Sequence, residues 1–244
     1  MASPACHVVV ETQPGPGDWH MLLDEALLMA GVERSQCAVR VYRWSVPTIS
    51  LGYFQKVHEL GQAFPAGTQL PVVRRLTGGG ALLHHHEWTY ACVVPASHAL
   101  SREPLRMYEI VHQAIMDLLT EQHVACQFAG STGADVPTDF LCHTRRDRFD
   151  VTCQGHKILG SAQRRRRGSV LQHGSLLIRA SAWAPKFLGI GDLNEGICCG
   201  SGWGHELGVR IAGGLGSPQV LAQHDARDLA RVTELRNVSV GKFR

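Results

Sequence analysis

The chain lacks any apolar run approaching the roughly 20 residues that span a bilayer, which argues against a membrane helix. No lysine or arginine precedes Arg34, so the basic n-region of a secretory signal is missing and such a signal is not expected. The eight cysteines (6, 37, 92, 126, 142, 153, 198 and 199) contain no CxxC pair, so zinc-ribbon spacing is absent. At 244 residues the chain needs no disulfide staples to bury a core. These absences predict a cytoplasmic protein whose thiols stay reduced. Internal repeats and long linkers are also missing. His84, His85 and His86 invite a metal reading, but neighbours on a strand point to alternate faces and cannot converge on one ion. No metal is expected.

What is present is an ordinary globular composition, 44% hydrophobic with a net charge of +3, suited to one large domain or a domain with a small appendage. Asp18 is placed to cap a helix running through Met21, Leu22, Leu28 and Met29. Residues 38–44 alternate as a half-buried strand, and 48–53 read as its partner across Pro47. Further strands are predicted at 71–75, 89–94, 148–153, 157–160 and 169–178. The clearest helical period runs over 104–122, with Met107, Ile110, Val111, Ile115, Leu118 and Leu119 on one face. Residues 130–138 read as a loop. Weaker helical patterns follow at 180–188, 205–215 and 220–235. Strands mixed with helices point to an α+β fold, a mixed sheet with helices on its faces, in one domain. Residues 1–215 are expected to form the catalytic domain, and 216–244 a helical extension packed on it.

Two segments carry the chemistry. The first, RRLTGGGALLHHHEWTY (residues 74–90), sets three glycines between strand-like flanks. Such a run costs backbone entropy and suits a place where a ligand approaches the main chain or φ is positive. A glycine-rich hairpin turn with a purely structural role is the competing reading. The second, GHKILGSAQRRRRGSVLQHGSLLI (residues 155–178), holds Lys157 in an apolar strand context. Gly160, Ser161 and Ala162 follow, small enough to let a ligand lie against the backbone. A lysine so placed can stabilise an oxyanion or serve acid–base chemistry. Arg164–Arg167, with Arg145, Arg146 and Arg148, form either a solvated basic loop or a docking surface for an acidic protein. Moderate total charge and the lack of interleaved aromatics argue against nucleic acid.

RRLTGGGALLH, followed by GHKILGSAQ and LQHGSLL, resembles the lipoate/octanoate branch of the biotin and lipoate protein ligase superfamily. The resemblance covers roughly residues 20–195. It implies a mixed sheet with a largely antiparallel order, and a tunnel for an octanoyl or lipoyl chain. On the matching positions it implies that Arg75, Thr77, Gly78, Gly79, Gly80, Ala81 and His84 bind substrate, together with Gly160, Ser161, Ala162, His173 and Gly174. Lys157 takes the place of the family lysine. In one transferase type of this branch the nucleophilic cysteine lies shortly before the lysine segment, and Cys142, 15 residues ahead of Lys157, falls there. Cys199-Gly200 superficially matches a second type, but the wording around the lysine fits the first. Trp88 stands where relatives carry a smaller aliphatic residue, which is expected to shorten or reshape the pocket.

The resemblance thus implies a ping-pong octanoyltransferase with no cofactor. Cys142 accepts octanoate from acyl carrier protein and passes it to a lysine of a lipoyl domain or glycine-cleavage H protein. An ATP-dependent lipoate ligase, a lipoyl or octanoyl amidotransferase, and a non-catalytic acyl- or carrier-binding regulator remain as alternatives. A monomer is the default.

Overall fold

The computed structural model describes residues 3–58, 69–130, 147–197 and 199–241. Its strands are β1 (Ala5–Val10), β2 (Cys37–Tyr42), β3 (Thr48–Leu51), β4 (Val72–Arg74), β5 (Leu82–His84), β6 (Glu87–Val94), β7 (Gln127–Phe128), β8 (Val151–Cys153), β9 (His156–Arg166), β10 (Ser169–Leu177) and β11 (Ser217–Val220). Eight of them form one sheet in the order β11-β1-β2-β6-β10-β9-β8-β7, and β4-β3-β5 form a second. In the large sheet only β11–β1 and β1–β2 are parallel; the pairs from β2–β6 to β7–β8 are antiparallel. This is the mixed, largely antiparallel α+β sheet that the sequence predicts.

Every residue of β6 and of β10 is buried, because helices cover both faces of the sheet. Alternate strand residues separate the two layers. Ala38, Ala91, Val93 and Leu171 pack with Leu27 and Leu28 of α1 (Gly17–Arg34). Their neighbours Val39, Tyr90, Cys92 and Val170 pack with α2 (Pro104–Glu121) and a later helix, α4 (Ser201–Leu215). Between α2 and α4 lies the single turn α3 (Ile190–Leu193). The last helix, α5 (Ala226–Gly241), lies on α1. Val232 joins Leu23 and Ala26 there, and Arg34 pairs with Asp228 at 2.5 Å.

Several local expectations change. Pro16 occupies the cap position of α1, so Asp18 sits inside the first turn, where its charge meets the helix dipole instead of closing the cap. The segment 48–53 does not pair with β2, whose two edges are taken by β1 and β6; β3 turns away into the second sheet. The strand predicted at 157–160 continues to Arg166, so three of the four consecutive arginines are on a strand and not in a loop. Residues 180–188 form turns and not a helix. In the stretch read as helical from 220, strand β11 occupies 217–220 and α5 begins only at Ala226. Residues 131–138 of the predicted loop lie outside the described residues.

Trp88 does not shape the cavity described below. Its side chain packs among the α2 and α4 layer, with the Arg43 guanidinium 4.9 Å from its ring centroid. Gly204 of α4 lies directly against it, since a Cβ there would approach the ring carbons at 2.5–3.1 Å. Alanine favours a helix over glycine by about 1 kcal/mol, whereas overpacking a buried contact costs about 1–3 kcal/mol. Gly204→Ala is therefore expected to lower stability, by about 1 kcal/mol net; a urea midpoint at or above wild type would show that α4 can shift freely.

Candidate active site

The β9–β10 hairpin fixes the site. Its register sets Gly160 opposite Ser175, Ser161 opposite Gly174, and Ala162 opposite His173, so the GSA and HG motifs meet across one ladder. They floor a cavity of about 430 Å³ with a predominantly apolar wall. Met21 of α1, Tyr42 of β2, Trp44 just after it, and Leu105, Tyr108 and His112 of α2 supply other walls, and the turn Asp147–Asp150 adds a further one. Of the residues singled out in the sequence, Arg75, Gly78, Gly79, His84, Lys157, Gly160, Ser161, Ala162, His173 and Gly174 line it. Thr77 and Ala81 are fully buried behind the wall, and Gly80 contributes only its carbonyl to a bond from Arg75. Cys142 lies outside the described residues. Asp147, five positions further on, lines the cavity.

Lys157 Nζ forms an ion pair with Asp150 Oδ2 at 2.7 Å, both side chains nine-tenths or more buried. Gly160 makes room for the pair: a Cβ there would lie 2.7 Å from Lys157 Cε and 3.1 Å from Asp150 Oδ1. Burial pushes the Asp150 carboxyl above the ordinary range, while the Lys157 charge and the Asp147 N–H bond pull it back. The same carboxylate accepts the Asp147 N–H at 2.7 Å. Asp150 thus ties the amine to the turn that follows the Cys142 segment.

Around the glycine run, Arg75 organises the backbone. Its guanidinium donates to the Ser50 carbonyl, the Ser50 hydroxyl and the carbonyls of Gly78 and Gly80. Gly79 has φ +90, a conformation open to glycine at little cost, and a Cβ on Gly52 would overlap the Gly79 carbonyl oxygen. Two imidazoles flank this turn. His84 bonds Ser50 Oγ through Nε2 and Glu87 Oε1 through Nδ1, each at 2.7 Å, and stacks on Trp44 at 3.9 Å. Burial would raise the Glu87 carboxyl, but His84 and bonds from Thr89 and Ser175 outweigh it and hold it below the usual range. His173 bonds Thr77 Oγ1 at 2.6 Å and Asp24 Oδ2 at 2.9 Å. Asp24 in turn accepts from Arg40, which also donates to Glu11. Both relays have the order hydroxyl–imidazole–carboxylate. Ser50 and Thr77 are fully buried and absent from the cavity wall, so these relays orient the histidines and do not present a nucleophile.

His112 joins three elements. Its Nδ1–H donates to the Phe149 carbonyl at 2.6 Å, leaving Nε2 to accept from the Ser161 hydroxyl at 2.7 Å and from Tyr90 at 3.2 Å. Sequence reasoning did not single out His112, Asp150, Asp24 or Glu87. For His112 a signal existed, a polar residue on the buried stripe of α2. The remaining sequence candidates fall elsewhere. His85 bonds Ser181 and His86 is exposed. Cys199 offers its carbonyl to Trp88, away from the cavity, and Cys198, Arg145 and Arg146 lie outside the described residues. Among the described residues no cluster of His, Cys, Asp and Glu suits a metal, and no helix is long and apolar enough to cross a membrane.

Residues 17–188 match the lipoyl protein ligase A/B catalytic domain, and the chain belongs to that family. It is 38% identical over 164 residues to the octanoyltransferase LipM of Moorella thermoacetica, covering 65% of this chain and 60% of that protein. To LipM of Geobacillus kaustophilus it is 37% identical over 172 residues, or 67% and 62%. The matched region spans about three-fifths of the length of these relatives. The fold is similar to protein Ta0514 of T. acidophilum with bound lipoic acid (TM-score 0.69, 17% identity, 97% and 95% of the chains). It is likewise similar to lipoate-protein ligase A bound with ATP (TM-score 0.68, 16% identity, 96% and 94%).

Burial pushes His112 down to about 4, and burial together with the Arg40 charge pushes His20 down to about 4. In the unfolded chain both would titrate near 6.5, so between these values the unfolded state binds more protons. Stability is then intact above about pH 6.5 and falls as pH drops toward 4, by about 3 kcal/mol per histidine. Urea midpoints at pH 7.5 and 4.5 are expected to show the loss, and His112→Gln to flatten the slope. An unchanged slope in that variant would mean that His112 takes up its proton without cost.

Proposed function

We propose that this chain transfers an octanoyl group from acyl carrier protein, through a thioester on Cys142, to a lysine of a lipoyl domain or glycine-cleavage H protein. The observation that carries the reading is the buried Lys157–Asp150 pair on the wall of a largely apolar cavity. It places a cation where the wall meets the segment downstream of Cys142. A thiolate, not a thiol, attacks, and an adjacent cation lowers a thiol's pKa. The likeness to LipM proteins supports the same assignment.

The Cys142 sulfur attacks the donor thioester carbonyl, forming a new C–S bond as the carrier's sulfur leaves. The proton lost by Cys142 passes by way of Lys157 to that leaving thiolate. In the second half the acceptor's neutral amine attacks the acyl-cysteine, the amide C–N bond forms as the C–S bond breaks, and the amine's proton passes by way of Lys157 to the leaving Cys142 thiolate. Neither half needs ATP or a cofactor, because the thioester is already activated. The cavity volume lies within the usual range for small-molecule sites. We place this activity in the cytoplasm, in a monomer whose catalytic domain is residues 1–215, with 216–244 packed on it.

Octanoyl-carrier protein is expected to add one octanoyl mass to the chain, mapped to Cys142 by peptide analysis, and Cys142→Ala is expected to add none. Lys157→Met should slow formation of the adduct about 10²-fold or more. Turnover of free lipoate with ATP, unaffected by Cys142→Ser, would overturn the transferase reading in favour of a ligase.

A further inference from the structure

We propose that the aromatic and basic face beside the glycine turn, formed by Tyr53, Phe54, Arg74 and Arg164, is where an acidic acyl-donor protein docks, a proposal that rests on the transferase reading above. Phe54 is 81% exposed and Tyr53 43%, and their rings meet edge-on at 5.0 Å. Exposed aromatic pairs on a soluble surface mark contact sites more often than isolated apolar residues do.

The loop that presents them is braced. One nitrogen of Arg74 donates to the carbonyls of Gly52, Tyr53 and Gln55, and the Tyr53 N–H bonds the Thr77 carbonyl at 2.8 Å. Arg164 lies over the Tyr53 ring at 4.8 Å. Arg165, next along β9, points to the opposite face of the strand, where it donates to the Ser101 carbonyl, and stands outside this surface. Each of these contacts fixes a guanidinium through a neutral group, so the cation is positioned while its charge is kept. Arg166 does meet a carboxylate, Glu25, at 3.4 Å, but an exposed pair of this kind is screened and weak. Among the described residues the face is therefore apolar at its centre and positive around it, the complement of a partner with an acidic surface.

Geometry selects the donor over the acceptor. Arg164 lies seven residues along β9 from Lys157, but the Lys157 amine folds back to position 160, where a Cβ would lie 3.0 Å from Nζ. About four residues, roughly 13 Å, therefore separate the face from the amine, more than a lysine stem can span. An acceptor delivers its nucleophile on the four-carbon stem of a lysine and must dock against the reactive end. A donor that carries its thioester on a long flexible arm can dock at this distance and still place its carbonyl beside Lys157.

The test compares wild type with Phe54→Ser/Arg164→Glu. Binding is read by anisotropy of labelled octanoyl-acyl carrier protein, and turnover is read with that donor and with octanoyl-pantetheine, which has no protein surface. The variant is expected to bind the carrier at least tenfold more weakly and to show a matching rise in its KM. Its kcat should stay the same, and so should its kinetics with octanoyl-pantetheine. Equal carrier affinity in both proteins would overturn the docking face, as would a rise in KM confined to the lipoyl-domain acceptor. Carrier binding that depends on these residues, without turnover of either thioester, would uphold the face and count against the transferase reaction.

Discussion

A lysine ammonium in a cavity with mostly apolar walls costs several kcal/mol unless a counter-ion accompanies it, and much of this site follows from that requirement. Asp150 supplies the charge at 2.7 Å. A Cβ at position 160 would crowd both Lys157 Cε and Asp150 Oδ1, which gives a reason for a glycine inside an otherwise regular strand. For Asp150 to stay in place its turn must be held. The Phe149 N–H bonds Asp147, the Ala129 N–H bonds the Asp150 carbonyl, and His112 clasps the Phe149 carbonyl from α2. A neutral imidazole with its proton on Nδ1 serves both of its bonds at once, donating to Phe149 and accepting from Ser161. Its burial keeps it neutral, and the Ser161 hydroxyl occupies its second nitrogen. One ion pair thus draws together β8, β9, α2 and the turn between Asp147 and Asp150.

The glycine run serves a different purpose from a phosphate cradle. In such a cradle, backbone N–H groups and a nearby cation face the ligand. Here the cation that could do so, Arg75, directs its donors to four oxygens of the protein itself, two of them carbonyls of the run. The turn is therefore a rigid wall whose shape is set from behind. A wall without side chains gives an alkyl chain a smooth surface for dispersion contact, which suits the acyl end of a thioester better than its charged portion.

Much of this organisation was readable from residue order. Long, strongly patterned elements such as α2, β6 and β10 follow from apolar periodicity, and the GSA and HG segments could be singled out because small residues in a strand need a reason. β1 escaped notice because its residues, ACHVVV, form a short, nearly continuous apolar run without the polar alternation that marks a half-buried strand. β11 is short, exposed and contains Pro218, which an edge strand tolerates. Asp150, Asp24 and Glu87 were illegible for a more basic reason. A carboxylate in a sequence looks the same whether it is solvated or buried against a cation, and the difference lies in pairings such as Asp24–His173, 149 residues apart. Trp88 shows the converse. Its bulk suggested an obstruction of the pocket, but strand parity sends it to the α4 side of β6, one residue away from Thr89 on the cavity wall.

Charge is arranged in opposite ways inside the molecule and at its rim. Among the described residues, each buried cation in and behind the wall is linked to an anion: Lys157 to Asp150 directly, Arg40 to Glu11 and Asp24, and Arg75 to Glu87 through Ser50 and His84. Glu11 is held at about 2 because the Arg40 charge and a bond from His224 outweigh its burial, so that pair persists across the physiological range. An interior whose charges cancel locally exerts little net field on an uncharged chain, which can then be held by contact alone. At the rim, Arg74 and Arg164 are anchored to carbonyls and a ring, which preserves their charge. A field acts over about a Debye length of 8 Å in physiological salt and steers the approach of a charged protein. The division follows from what each region has to recognise: a neutral alkyl chain needs a locally balanced cavity, and a soluble charged carrier needs an unbalanced rim.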